Sequence, residues 1–140
     1  MIIVAPLVIA VLLAIAGLHL AWGLGVLWPV TNETQLVATV IGMKGVTRMP
    51  GLIPCLMVVA ALLTVAGLAW WQVKAPGWLP QFALFAAAAV FLVRGIIVWT
   101  PFWRALTPQQ PFARLDVLLY GPLCLALGMG LLFIALRARA

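Results

Sequence analysis

The chain has 140 residues, 67% of them hydrophobic and 7% charged, with a mean hydropathy of +1.27 and a formal net charge of +6. A soluble domain carries charge on about a quarter of its residues, so this chain cannot cover itself with polar surface and a water-soluble globule is excluded. The eight basic residues are scattered singly rather than gathered in a stripe, which argues against nucleic acid and for contact with lipid headgroups.

A helix needs about 20 apolar residues to cross about 30 Å of hydrocarbon. Four stretches qualify. The first covers about residues 2–25. Pro6 falls near its first turn, where a missing N–H is tolerated. The stretch lacks basic residues ahead of its apolar core and a small-x-small cleavage pattern, so it reads as a retained span. The segment Val26 to Met49 follows. Within it, NETQLVATVIGMKG fits a short interfacial helix or an ordered coil. Asn32 with Gln35 could form a capping box, Leu36, Val37, Val40 and Ile41 recur at helical spacing, and Gly42 or Gly45 would end the helix.

The second span covers about residues 50–71, with Pro50 and Pro54 at its start and Trp70 and Trp71 at its end. After the tight turn VKAPGWLP, the third covers about 79–100 and is stopped by Pro101. The connection FWRALTPQQPFARL leads to the fourth, about 116–136, with Arg137 and Arg139 directly after it. LLAIAGL (Leu12 to Leu18) and LLTVAGL (Leu62 to Leu68) fit a duplicated hairpin or a chance recurrence of common apolar residues. The expected fold is all-α: one integral membrane domain over residues 1–140, a four-helix bundle with a short interfacial segment between spans one and two. Gly17, Ala21, Ala60, Ala83, Ala87, Gly128 and Gly130 are the small residues suited to close helix packing in lipid.

Four spans put both termini on one face and the two longer connections on the other, the loop face. Lys74, Arg137, Arg139 and the α-amino group lie on the first. Lys44, Arg48, Arg104 and Arg114 lie on the second, partly offset by Glu33 and Asp116. Lys74 in its short turn and the arginines after span four favour cytoplasmic termini.

Polar residues gather toward the loop face. Arg94 precedes Pro101 by seven residues, which places it roughly 10 Å inside the helix end. A charge at such depth costs about 2.5–3.5 kcal/mol and calls for a partner. Asp116 is the acidic residue nearest a span on that side, so an Arg94–Asp116 ion pair is expected. Tyr120 lies four residues beyond Asp116 on the same helix face, and Cys124 continues it. His19 has a compatible depth on span one, as a hydrogen-bonded packing residue or as a proton donor or acceptor beside Asp116. His19, Arg94, Asp116 and Tyr120 thus form the candidate site, read either as a structural tie between spans or as the polar end of a binding pocket. Trp22, Trp99, Trp103 and Cys124 are candidates to line such a pocket; an aromatic belt is the alternative for the tryptophans. Pro122 either bends span four, freeing the Leu118 carbonyl, or is an early-turn residue.

One histidine without a neighbouring Cys, Glu or second His is no metal site, and Cys55 and Cys124 form no CxxC. Met57 and Met129 make no haem-ligand pattern with His19. There is no glycine-rich phosphate loop, paired carboxylate, Ser–His–Asp order or HExxH. No metal and no cofactor are expected.

The stretches GLHLAWGLGVLWP (Gly17 to Pro29), FLVRG around Arg94 and FARLDVLLYGPLCLALG (Phe112 to Gly128) resemble an uncharacterised bacterial integral-membrane family, the domain of unknown function 3995. The resemblance runs over nearly the whole chain. It implies a small four-span membrane protein and no activity; the expected location is the bacterial cytoplasmic membrane. The functional expectation is a binding or accessory membrane protein whose partners are the lipid bilayer and an apolar small molecule or another membrane protein. The alternative is a membrane enzyme or receptor for a lipid, sterol or quinone-type ligand; whether the chain is an enzyme stays open. A small transporter fits least, because Thr64 is nearly alone among polar residues toward the termini.

Overall fold

The computed structural model describes residues 3–137; Ile2, the expected start of span one, and Arg139 lie outside the described residues. In chain order the helices are α1 (Val4–Gly23), α2 (Glu33–Val40), α3 (Leu52–Lys74), α4 (Trp78–Ile97), α5 (Pro101–Leu106) and α6 (Phe112–Arg137). Among the described residues there is no strand, and α1, α3, α4 and α6 are the four helices long and apolar enough to cross a membrane. Leu7, Val90, Val93, Leu118 and Met129 point outward, each at least 60% exposed. That much bare hydrocarbon on every side identifies lipid as the solvent.

The core is a stripe from each long helix. Ala5, Val8, Leu12 and Ala16 recur every three or four residues on α1 and meet Leu62, Ala66 and Ala69 of α3, Leu84 and Ala88 of α4, and Leu127, Leu131, Ile134 and Ala135 of α6. Helix α1 packs chiefly on α3, and α4 chiefly on α6. The α4–α6 seam places buried small residues seven apart: Ala88 and Gly95 against Gly121, Gly128 and Ala135. A Cβ at Gly95 would stand 2.6 Å from the Leu125 side chain, and one at Gly128 would stand 2.8 Å from that of Leu92. Such backbone proximity is how helices gain van der Waals contact where lipid offers no hydrophobic drive. Gly128 and Gly130 are buried as expected of close-packing residues, whereas Ala60 is exposed and a Cβ on Gly17 would meet nothing within 4 Å. On a helix apolar all round, small size does not reveal which face is inward.

The expected ends shift where local chemistry intervenes. Gly51, at φ +86°, keeps the chain out of helical space, so α3 begins at Leu52 rather than Pro50. Helix α4 ends at Ile97 because Thr100 becomes the cap of α5: its Oγ1 accepts the Trp103 N–H at 3.3 Å, and Pro101 takes the first helical position. Helix α6 begins at Phe112, four residues ahead of the expected Asp116.

The segment between spans one and two is a helix folded over the loop face. The Asn32 side chain accepts the Gln35 N–H at 2.8 Å, one half of the capping box; the Gln35 side chain instead accepts from the Thr31 hydroxyl at 3.4 Å. Leu36 and Val37 are buried. Gly42, at φ +65°, closes the helix, its N–H donating to the Val37 carbonyl at 2.9 Å. Phe112 lies where a Gly42 Cβ would be. The two loop-face connections interlock: Lys44 N–H donates to the Leu106 carbonyl at 3.0 Å, and Gln109 Nε2 to that of Met43 at 2.9 Å.

Candidate functional site

The site grows from the start of α6. Pro122 has no N–H to give the Leu118 carbonyl. The helix neither restarts beyond it nor breaks. It widens into one π-helical turn over Asp116–Tyr120, with the Gly121 N–H reaching the Asp116 carbonyl five residues back. Such turns insert a residue into the helical register and recur at functional sites. Gly121 suits this place, because a Cβ there would stand 2.7 Å from the Val98 side chain of α4.

This turn sends Asp116 inward, 2% exposed. Its Oδ1 accepts from Arg94 Nη2 at 2.6 Å, and its Oδ2 accepts the Trp103 Nε1–H at 2.7 Å. The guanidinium carbon of Arg94 stands 5.0 Å from the centre of the Trp103 ring, within cation–π range. The expected Arg94–Asp116 ion pair is therefore present as one side of a triangle that joins α4, α5 and α6. It is the ion pair found among the described residues. Both carboxylate oxygens hold short, charge-assisted bonds, the strongest kind available to a buried acid. Arg94 Nη1 is buried without a hydrogen-bond partner among the described residues, so the electron-rich Trp103 face is the guanidinium's further neighbour.

Tyr120 does not join this triangle. Its hydroxyl donates to the Thr39 carbonyl of α2 at 3.0 Å, and its ring stands 5.6 Å from that of Phe112. A spacing of four puts residues on one face only in an α-helix; across the π turn, Asp116 and Tyr120 serve different neighbours. His19 is apart as well. Its Nδ1–H donates to the Ile15 carbonyl one turn back at 2.9 Å, and its ring meets Trp22 edge-on at 5.1 Å. With Trp22, Met49 and Cys55 it lines a cavity of about 160 Å³ between α1, α3 and their connection. Among the described residues no hydrogen bond or ring contact links it to Arg94, Asp116 or Tyr120, because α1 pairs with α3 while the triangle belongs to the α4–α6 side.

Arg94 and Trp103 also edge an open apolar groove of about 450 Å³, walled by Ala89, Val90, Val93 and Ile97 on the outward side of α4. Of the other expected lining residues, Trp22 lines the His19 cavity. Half-buried Cys124 and half-exposed Trp99 line neither space. Among the described residues no three His, Cys, Asp or Glu side chains gather as metal ligands.

A family model described as a protein of unknown function (DUF3995) matches residues 12–131. The chain belongs to this family. The matched region contains His19, Arg94, Trp103, Asp116 and Tyr120, so the whole triangle lies within the DUF3995 unit, whose description assigns no activity. No curated protein and no solved structure matches the chain.

Three features of this DUF3995 chain escape the sequence reading. Trp103 is there a pocket-lining candidate, not the second donor to Asp116. Thr100-Pro101, a cap residue followed by proline, is the signal for the helix that aims it. At the opposite end, fully buried Gln72 accepts the Gly77 N–H at 3.2 Å, and Gln81 donates to the Ala135 carbonyl at 2.8 Å. Both glutamines interrupt apolar helix ends, the signal that marks them.

Proposed function

We propose that this chain is a small binding or accessory membrane protein that acts as one four-span unit, with the Arg94–Asp116–Trp103 triangle as its internal clamp. The observation that carries this reading is that Asp116 and Tyr120 are committed to partners within the protein. Both Asp116 oxygens are engaged, and Tyr120 holds the α2 cover. A general acid or base needs a group free to meet a substrate, and neither of these is free.

A second reading, a receptor for an apolar lipid-, sterol- or quinone-type ligand, draws support from the 450 Å³ groove with Arg94 at its edge, a volume in the usual range for ligand sites. Native mass spectrometry of the chain purified in mild detergent separates the two. A second polypeptide retained at fixed stoichiometry supports the accessory reading. A stoichiometric apolar molecule, held by the wild type and lost on Val93→Trp, supports the receptor instead.

The proposed location is the bacterial cytoplasmic membrane with both termini cytoplasmic. Lys74 at the end of α3 and Arg137 at the end of span four support that orientation. Lys44, Arg48, Arg104 and Arg114 occupy the other face, so labelling of single cysteines placed at Ala75 and Ala105 in intact cells decides the matter. Protection at 75 with labelling at 105 is expected; the reverse pattern overturns it.

A further inference from the structure

The geometry points to a binding site for an anionic phospholipid where α5 meets α6, with Arg104 and Arg114 holding the phosphate and span four holding the acyl chain. The two arginines line a groove of about 320 Å³ together with Gln110, Ala113, Val117 and Leu118. Arg104 follows the cap at Thr100 by one turn, and Arg114 stands in the first turn of α6, so both lie at the loop-face end of the membrane-spanning bundle. Both are exposed, and neither has a hydrogen-bond or ion-pair partner among the described residues.

Charge bookkeeping within the chain leaves them to an outside anion. The sequence holds two acidic residues against eight basic ones. Asp116 is buried on Arg94 and Trp103, and Glu33 accepts the Met49 N–H at 2.9 Å. Neither carboxylate reaches the groove. One turn on from Arg114, Leu118 is 63% exposed, and further along α6 Met129 is 60% exposed, so outward apolar side chains follow the arginines along span four. Two unpartnered guanidinium groups sharing a groove with apolar side chains match a phosphate joined to an acyl chain. Arginine suits the phosphate because its planar fork bonds two oxygens at once. This site is independent of the accessory reading: it uses neither the internal clamp nor the α4 groove.

The test is native mass spectrometry of the full, delipidated chain in detergent, titrated with dioleoylphosphatidylglycerol and separately with dioleoylphosphatidylcholine. The first is expected to bind more tightly, though the acyl chains are identical. A basic residue near a lipid surface contributes about 1 kcal/mol, or about fivefold. Arg104→Gln is therefore expected to weaken phosphatidylglycerol binding about fivefold, and Arg104→Gln with Arg114→Gln about 25-fold. The double Lys replacement, which keeps the charge but loses the fork, should fall between. Lys44→Gln with Arg48→Gln, on the same face, should leave the affinity within twofold. Equal binding of the two lipids, undiminished binding by the double Gln variant, or an equal loss in the Lys44/Arg48 control would overturn the site. Displacement of the lipid by equimolar inorganic phosphate would make it a phosphate site and likewise overturn the lipid assignment.

Discussion

Replacing Asp116 by Asn and Arg94 by Leu, singly and together, asks whether the clamp behaves as a unit. Asp116→Asn keeps the shape but leaves Arg94 charged inside a span without its counter-charge. Removing one member of a buried pair costs about 3–5 kcal/mol. The Arg94 side chain is 31% exposed and can turn its charge outward, so the low end, about 3 kcal/mol, is expected. Arg94→Leu strands a carboxylate whose side chain is 3% exposed, with only the Trp103 N–H to stabilise it; a similar cost of about 3 kcal/mol follows. Independent sites would then add to about 6 kcal/mol in the double variant. Coupled ones should not, because the second change removes the charge that the first left stranded. The double variant is expected near 3 kcal/mol, a coupling of about 3 kcal/mol. Its remaining cost includes the Trp103 N–H deprived of an ionised acceptor, about 1–3 kcal/mol. Reversible unfolding in mixed micelles of rising denaturing-detergent fraction, followed by tryptophan fluorescence and far-ultraviolet circular dichroism, measures all three. Simple addition of the single costs would refute the clamp.

Two further outcomes follow from packing and from the cover. Gly95→Val should cost about 1–3 kcal/mol by forcing α4 from α6 at Leu125, whereas Gly17→Ala, with nothing within 4 Å of its Cβ, should stabilise by about 0.5–1 kcal/mol; melting temperatures of opposite sign check the pair. Tyr120→Phe should cost about 1 kcal/mol through the lost bond to the Thr39 carbonyl and speed hydrogen exchange across Glu33–Val40, while exchange in α4 stays as it is. Equal acceleration in α4 would place Tyr120 in the clamp after all.

The expected pairing of Arg94 with Asp116 was legible because a charge in hydrocarbon has few solutions and the chain holds two acids in all. The α2 cap at Asn32 was legible because capping is read within four residues. The expected company of Tyr120 and His19 was not. Placing Tyr120 beside Asp116 assumes a constant helical period, and one π turn at Asp116–Tyr120 changes which neighbour each residue meets. Placing His19 there assumes that equal depth means proximity, yet depth is one coordinate of three. Trp103 edges the α4 groove as a pocket-lining residue would, and in addition donates to the carboxylate because it stands on a short helix, α5, that the sequence reading did not include.

By itself the sequence determined the solvent, the number of spans, the all-α class and the need of Arg94 for a partner. Each follows from local composition: apolar length against hydrocarbon thickness, and the cost of an unpaired charge. Only the tertiary structure decided that α1 pairs with α3 and α4 with α6, that α2 seals one end, and that the clamp has a third member. A helix that is apolar on every side carries no sign of which face is buried. That choice depends on where small residues let two backbones meet, as at Gly95 and Gly128, and so on a neighbour distant in the chain.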